Sequence, residues 1–291
     1  MTQLVIQHYA RPNARRHLWI GMAMALVGIA FGLEQAADWL AANPMAARGL
    51  AASLLAGAAT GLGALPVLFL RRPSEKLMAP MLGLAGGMML AASLFSLLVP
   101  AVQQVAASGT PWMLGTATAA ALLAGAAAMQ MLDRRLPHEH VESVEARGMM
   151  PNVTLVVAAI SIHNVPEGLA VGVAAAAGAD HGMSLGIALQ NIPEGWIVAS
   201  AMIALGAAPL RAALIALATG LVEPVGGLFG VIASTVAGGA LPLALAAAAG
   251  AMLWVVSHEM IPASHQPGRV GAGTAGLVTG FAVMAILASV F

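Results

Sequence analysis

The 291-residue chain has no cysteine, which removes disulfides and thiolate metal ligands together. Any metal must therefore be held by imidazole, carboxylate, amide, backbone oxygen or thioether. Charge is almost as scarce. Asp, Glu, Lys and Arg make up 8% of the residues, against about a quarter in a soluble domain. The twelve cations balance the twelve anions, so there is no basic field to draw in nucleic acid. Aromatics reach only 4%, too few for a base-stacking platform. What remains is apolar: 60% hydrophobic residues and a mean hydropathy of +0.88. The composition is that of an all-α polytopic membrane protein whose first partner is the lipid bilayer.

A helix crosses a bilayer core with roughly 20 apolar residues. Charges, prolines and polar clusters divide the chain into about nine such runs, near 17–42, 48–70, 77–102, 111–133, 152–177, 183–206, 210–235, 240–262 and 270–291. The first begins after Arg11, Arg15 and Arg16, as a signal peptide would, but it is long and lacks a clear cleavage site, so it reads as retained. Glu34 and Asp38 lie in its second half, which leaves an interfacial helix as its alternative. With the N-terminus in the cytoplasm, eleven of the twelve cations fall on cytoplasmic segments and only Arg48 lies outside. That bias predicts the N-terminus inside and the C-terminus outside. The polar stretch 134–151 becomes a cytoplasmic loop, and residues 1–291 read as a single transport domain. Gly168/Gly172, Gly182/Gly186 and Gly226/Gly230 are small-residue pairs one turn apart, of the kind that lets helices approach closely.

Two apolar runs carry near-copies of one polar motif: His163-Asn164-Val165-Pro166-Glu167-Gly168 and Gln190-Asn191-Ile192-Pro193-Glu194-Gly195. The seventh run adds Glu223-Pro224. Residues three and four apart share a helix face, so each copy presents a ligand-type cluster to one side. Carboxylates in hydrocarbon are costly and mark function; the two motif spans have no Lys or Arg to pair with them, and the seventh has only Arg211, at the end away from Glu223. Three carboxylates together repel one another, and a divalent cation removes the repulsion. Each glutamate also has a proline beside it, predicting kinked helices in which the carbonyls of Ile162, Leu189 and Gly220 lose their usual donors. One imidazole with several oxygens suits zinc, iron(II), manganese or cobalt, and extends to cadmium.

These residues resemble the ZIP (Zrt-, Irt-like protein) family of divalent metal transporters, in particular its prokaryotic GufA-type branch. The likeness runs from about Arg48 to the C-terminus and includes Gly87 to Ser93, Glu223-Pro224, and Ser257-His258-Glu259 before Ile261-Pro262. It implies an inverted-repeat transporter of eight family spans, here with an extra N-terminal helix over 17–42, working by alternating access. It implies import of divalent metal as substrate, zinc foremost, with cadmium, iron(II) and manganese as further ions. It also implies a bacterial cytoplasmic (inner) membrane and a homodimer. Carried over by position, one ion falls to His163, Glu167, Gln190 and Glu194, with Met89 beside it. A neighbouring site falls to Asn164 and Glu223, bridged by Glu167 and Glu194. Some members carry Asp where this chain has Asn191; the amide removes a bridging carboxylate and leaves one-ion and two-ion occupancy open.

His258 and Glu259 read as an exit path at the cytoplasmic end of the eighth run, with a histidine at a helix end near the dipole as the alternative. His138 and His140 read as metal holders in the cytoplasmic loop, or as part of a solvated charged loop. Ser96 reads as a weak ligand or as helix packing. Two other functions compete. An intramembrane metalloprotease would need His-Glu-x-x-His, whereas Asn164 follows His163 and Glu167 stands in place of a second histidine. An ion-coupled carrier of an organic solute would use the carboxylates but not the His/Asn/Gln/Met set. The expectation is a transporter, not an enzyme.

Overall fold

The computed structural model describes residues 34–70 except 36, 75–107, 110–135, 153–178, 180–236 and 241–290. The expected first run lies outside the described residues up to 33; residues 34, 35 and 37–42 are helical. The chain divides into two compact units, Met1–Ala47 and Arg48–Phe291, and the metal-motif residues all belong to the second.

Every described element is a helix. In order they are α1 (Pro44–Ala64), α2 (Met78–Ala91), α3 (Val99–Ala106), α4 (Pro111–Arg135), α5 (Val153–Ala176), α6 (Asp180–Ala204), α7 (Pro209–Gly220), α8 (Glu223–Val236), α9 (Leu241–Val255), α10 (Ile261–Ser264) and α11 (Val270–Val290). Prolines open α1, α4 and α7, where a missing N–H costs nothing because the first-turn donors have no helical partner. Gly178, Gly206 and Gly268 adopt positive φ in the turns after α5, α6 and α10, the conformation glycine reaches without Cβ strain. Six stretches are long and apolar enough to cross a membrane: Pro44–Leu68, Met78–Ala106, Trp112–Arg135, Pro209–Thr235, Leu241–Ser264 and Val270–Val290. The motif helices α5 and α6 add 24 and 25 residues.

Both α5 and α6 run unbroken through Pro166 and Pro193; only the third proline coincides with an interruption, the Leu221–Val222 turn between α7 and α8. Tertiary packing overrides the local penalty in the first two. In the third, Gly220 meets the backbone of Gly57 on α1, and a Cβ on either glycine would run into the other's carbonyl.

Two further interruptions were not anticipated. A π-helical stretch, Ala92–Leu98, joins α2 to α3, and a second, Val256–Met260, joins α9 to α10. Each ends in a backbone bond spanning five residues, Val99 N–H to the Leu94 carbonyl and Ile261 N–H to the Val256 carbonyl. Each is followed at once by a proline, Pro100 or Pro262. Widening the turn before a proline lets the helix continue without the bond that proline cannot donate.

Packing is reciprocal between the two ends of the chain. Helix α2 lies along α11, with Gly83 and Gly87 against the Gly273 and Leu277 carbonyls, while α9 lies along α4, with Gly250 against the Leu122 carbonyl. The third extensive contact joins α5 to α8 through Gly168, Gly172, Gly226 and Gly230. The expected small-residue pairs thus bring the first motif helix against Glu223. Gly186 instead meets the Met284 sulfur on α11.

Candidate metal site

Helices α5, α6 and α8 each bring one carboxylate to a common region. Glu167 and Glu223 are fully buried, as are Gln190 and Asn191, and Asn164 is 2% exposed. The Gln190 side-chain amide donates to Glu167 Oε1 at 2.8 Å. The Asn191 amide donates twice, to Glu223 Oε1 at 2.6 Å and to the Ala56 carbonyl of α1 at 2.8 Å. Glu194 lies beside Glu167 and acts electrostatically on both other carboxylates. The glycine after each motif glutamate makes this convergence sterically possible. Gly168 sits on the Glu223 backbone and Gly195 on the Thr60 backbone, with no space for a Cβ at either.

After these bonds are made, five acceptor oxygens of the cluster have no hydrogen-bond donor among the described residues: Asn164 Oδ1, Glu167 Oε2, Gln190 Oε1, Asn191 Oδ1 and Glu223 Oε2. Buried acceptors without partners cost about 1–3 kcal/mol each, and more when charged. Two carboxylate and three amide oxygens form a donor set for a hard or borderline divalent cation. Among the described residues, no three His, Asp or Glu side chains are gathered closely enough to grip an ion by themselves. The amides are therefore integral to the site.

His163 also reaches a fourth glutamate. Its Nε2 pairs with Glu259 Oε2 at 2.5 Å, with both side chains largely buried at 15% and 8% exposure. This bond links α5 to the π stretch Val256–Met260, so Glu259 belongs at the edge of the motif cluster rather than only at a helix end. The preceding His258 stacks on Trp254, with ring centroids 5.0 Å apart, and its Nε2 lies 4.0 Å from Asp133 Oδ2 at the end of α4. Met89 is fully buried in the core that also holds Ile162, the neighbour of His163, and Ala56. Its carbonyl accepts from Ser93 Oγ at 2.7 Å. Ser96 lies half-buried in the π stretch Ala92–Leu98. His138 and His140 lie outside the described residues.

Three participants escaped the sequence reading. Asp133 adjoins Arg134 and Arg135 in the sequence, and Trp254 lies within an apolar run. The Ala56 carbonyl has no side-chain signal at all. Only Asp133 could have been found, as an acidic residue in the last turn of a span that leads into a histidine-bearing loop.

Comparison with known proteins points the same way. The profile described as "ZIP Zinc transporter" matches residues 132–288. The zinc transporter GufA of Myxococcus xanthus is 47% identical over 246 residues, covering 82% of this chain and 97% of the relative. The zinc transporter ZIPB of Bordetella bronchiseptica is 45% identical over 238 residues, covering 79% and 77%. The zinc transporter ZupT of Escherichia coli is 32% identical over 243 residues, covering 80% and 92%.

Proposed function

This chain belongs to the ZIP zinc transporter family and imports divalent metal ions across a membrane, and from that premise we propose that its substrate is zinc, bound where α5, α6 and α8 meet. Cadmium, iron(II) and manganese follow as further substrates by donor chemistry. The observation that carries the reading is the set of five buried, donor-less oxygens on three helices. In this reading Glu167, Glu194, Gln190 and His163 hold the ion, with Met89 beside it and Asn164, Asn191 and Glu223 on the neighbouring side.

The His163–Glu259 pair supports a route for release. An ion leaving the cluster exchanges onto Glu259, then onto His258 and Asp133, toward the loop bearing His138 and His140. Each step swaps one or two ligands, so no fully dehydrated ion crosses apolar surface. The cation bias of the sequence supports placing that end in the cytoplasm, with the N-terminus inside and the C-terminus outside. The reciprocal packing of α2 with α11 and α9 with α4 supports alternating access between repeat-related halves. From the family likeness we also propose a bacterial inner-membrane location and a homodimer.

The test is zinc uptake into proteoliposomes. Glu167→Ala should reduce uptake to the protein-free background while the purified protein remains folded. Undiminished uptake by that variant would reject the site.

A further inference from the structure

We propose that Asn191 makes this a one-ion centre, its amide supplying to Glu223 the hydrogen bond that stands in for a second cation. The inference rests on the metal-site reading above.

The amide orientation is settled by its surroundings. Nδ2 faces two acceptors, Glu223 Oε1 at 2.6 Å and the Ala56 carbonyl at 2.8 Å. Turning the amide over would set Oδ1 against both. All of this is fully buried, where a charge-assisted bond is strong and its loss costly. Glu223 is thus neutralised in part without an ion, and its position is fixed relative to α1 and α6.

The ligands left for two ions are then unequal. One group holds an imidazole, two carboxylates and an amide, from His163, Glu167, Glu194 and Gln190. The other has a single carboxylate of its own, Glu223, already engaged through Oε1, with Asn164 Oδ1 and Asn191 Oδ1 as neutral oxygens. A borderline ion such as zinc prefers the first set. An aspartate at 191 would reverse the argument. It has no proton to donate, so its carboxylate would face Glu223 and the Ala56 carbonyl with nothing between them. A second cation is what such an arrangement would require.

The experiment uses the full chain in nanodiscs, stripped with chelator and loaded with zinc. Bound ions per chain are counted by elemental analysis after desalting, and thermal unfolding is followed with and without zinc. The wild type should retain one ion per chain. Asn191→Asp should retain two, and its midpoint should fall below wild type without zinc and recover with it. Two tight ions on the wild type would overturn the proposal, and so would an Asn191→Asp variant that keeps one ion and unfolds the same with or without zinc. If Asn191→Asp cannot be purified, the wild-type count alone decides. Full retention of ions by Glu167→Ala would instead overturn the site reading on which the proposal stands.

Discussion

The two motif copies share a backbone pattern and differ in what their side chains engage. In the α5 copy, His163 reaches outward to Glu259 on the π stretch after α9. In the α6 copy, Asn191 reaches inward to Ala56 of α1 and Glu223 of α8, and Gln190 to Glu167 of α5. The first is tied to its surroundings through His163 to Glu259 and through the bond that Glu167 accepts from Gln190, the second through the three bonds that its amides donate. Their glycines do the same work: Gly168 and Gly195 each receive a backbone carbonyl, from Glu223 and from Thr60. One copy is built to exchange a ligand and the other to hold the frame in which the exchange occurs. Identical spacing therefore does not imply identical roles, because the partner helices differ.

The largest expected effect tests what the copies share. Gly168→Val and Gly195→Val should each prevent recovery of folded protein, because the new side chain meets backbone that cannot yield; core overpacking alone costs about 1–3 kcal/mol. Size-exclusion profiles and unfolding midpoints would check this, and normal folding of either variant would break the equivalence. Next comes what separates them. His163→Ala should lower zinc uptake by about 10–100-fold, the range for disturbing a metal's immediate surroundings, while Gln190→Ala should lower it only several-fold and lower the unfolding midpoint, because Glu167 loses a buried donor. Equal losses in the uptake assay would mean that the copies contribute alike. The smallest effect concerns release. Glu259→Gln keeps an acceptor for His163 but removes the charge, so zinc should bind as before and leave more slowly. Equilibrium binding against single-turnover efflux separates these quantities, and unchanged efflux would remove Glu259 from the route.

Much of the architecture could be read from the chain. Eight of the nine apolar runs correspond to helical segments within a few residues of their expected limits, because charges and prolines punctuate a membrane sequence sharply. The region of the carboxylates was equally legible, since Glu167 and Glu194 have no cation within their spans, Glu223 shares its span only with Arg211 at the far end, and all three stand out against apolar neighbours. How the backbone absorbs each proline was not. Pro166 and Pro193 sit inside unbroken helices, whereas the interruptions appear before Pro100 and Pro262, as π turns. A proline's local rule says that a bond is missing but not how the helix absorbs the loss. The pairing of His163 with Glu259, 96 positions apart, was also out of reach: 258 and 259 could be placed on a helix, but the helix facing them could not.

By itself, the sequence determined the solvent in which this protein lives, the helical segments and the side chains available for chemistry. Those follow from local composition, because a backbone in hydrocarbon must satisfy its own hydrogen bonds and a carboxylate there must serve a purpose. Tertiary structure alone decided which of those side chains meet. The Ala56 carbonyl became a partner of Asn191 because Gly63 and Gly195 let α1 and α6 touch, and Glu223 reached the cluster because Gly168 received its backbone. Close approach depends on the shape of two surfaces at once, and a single chain position encodes only one of them.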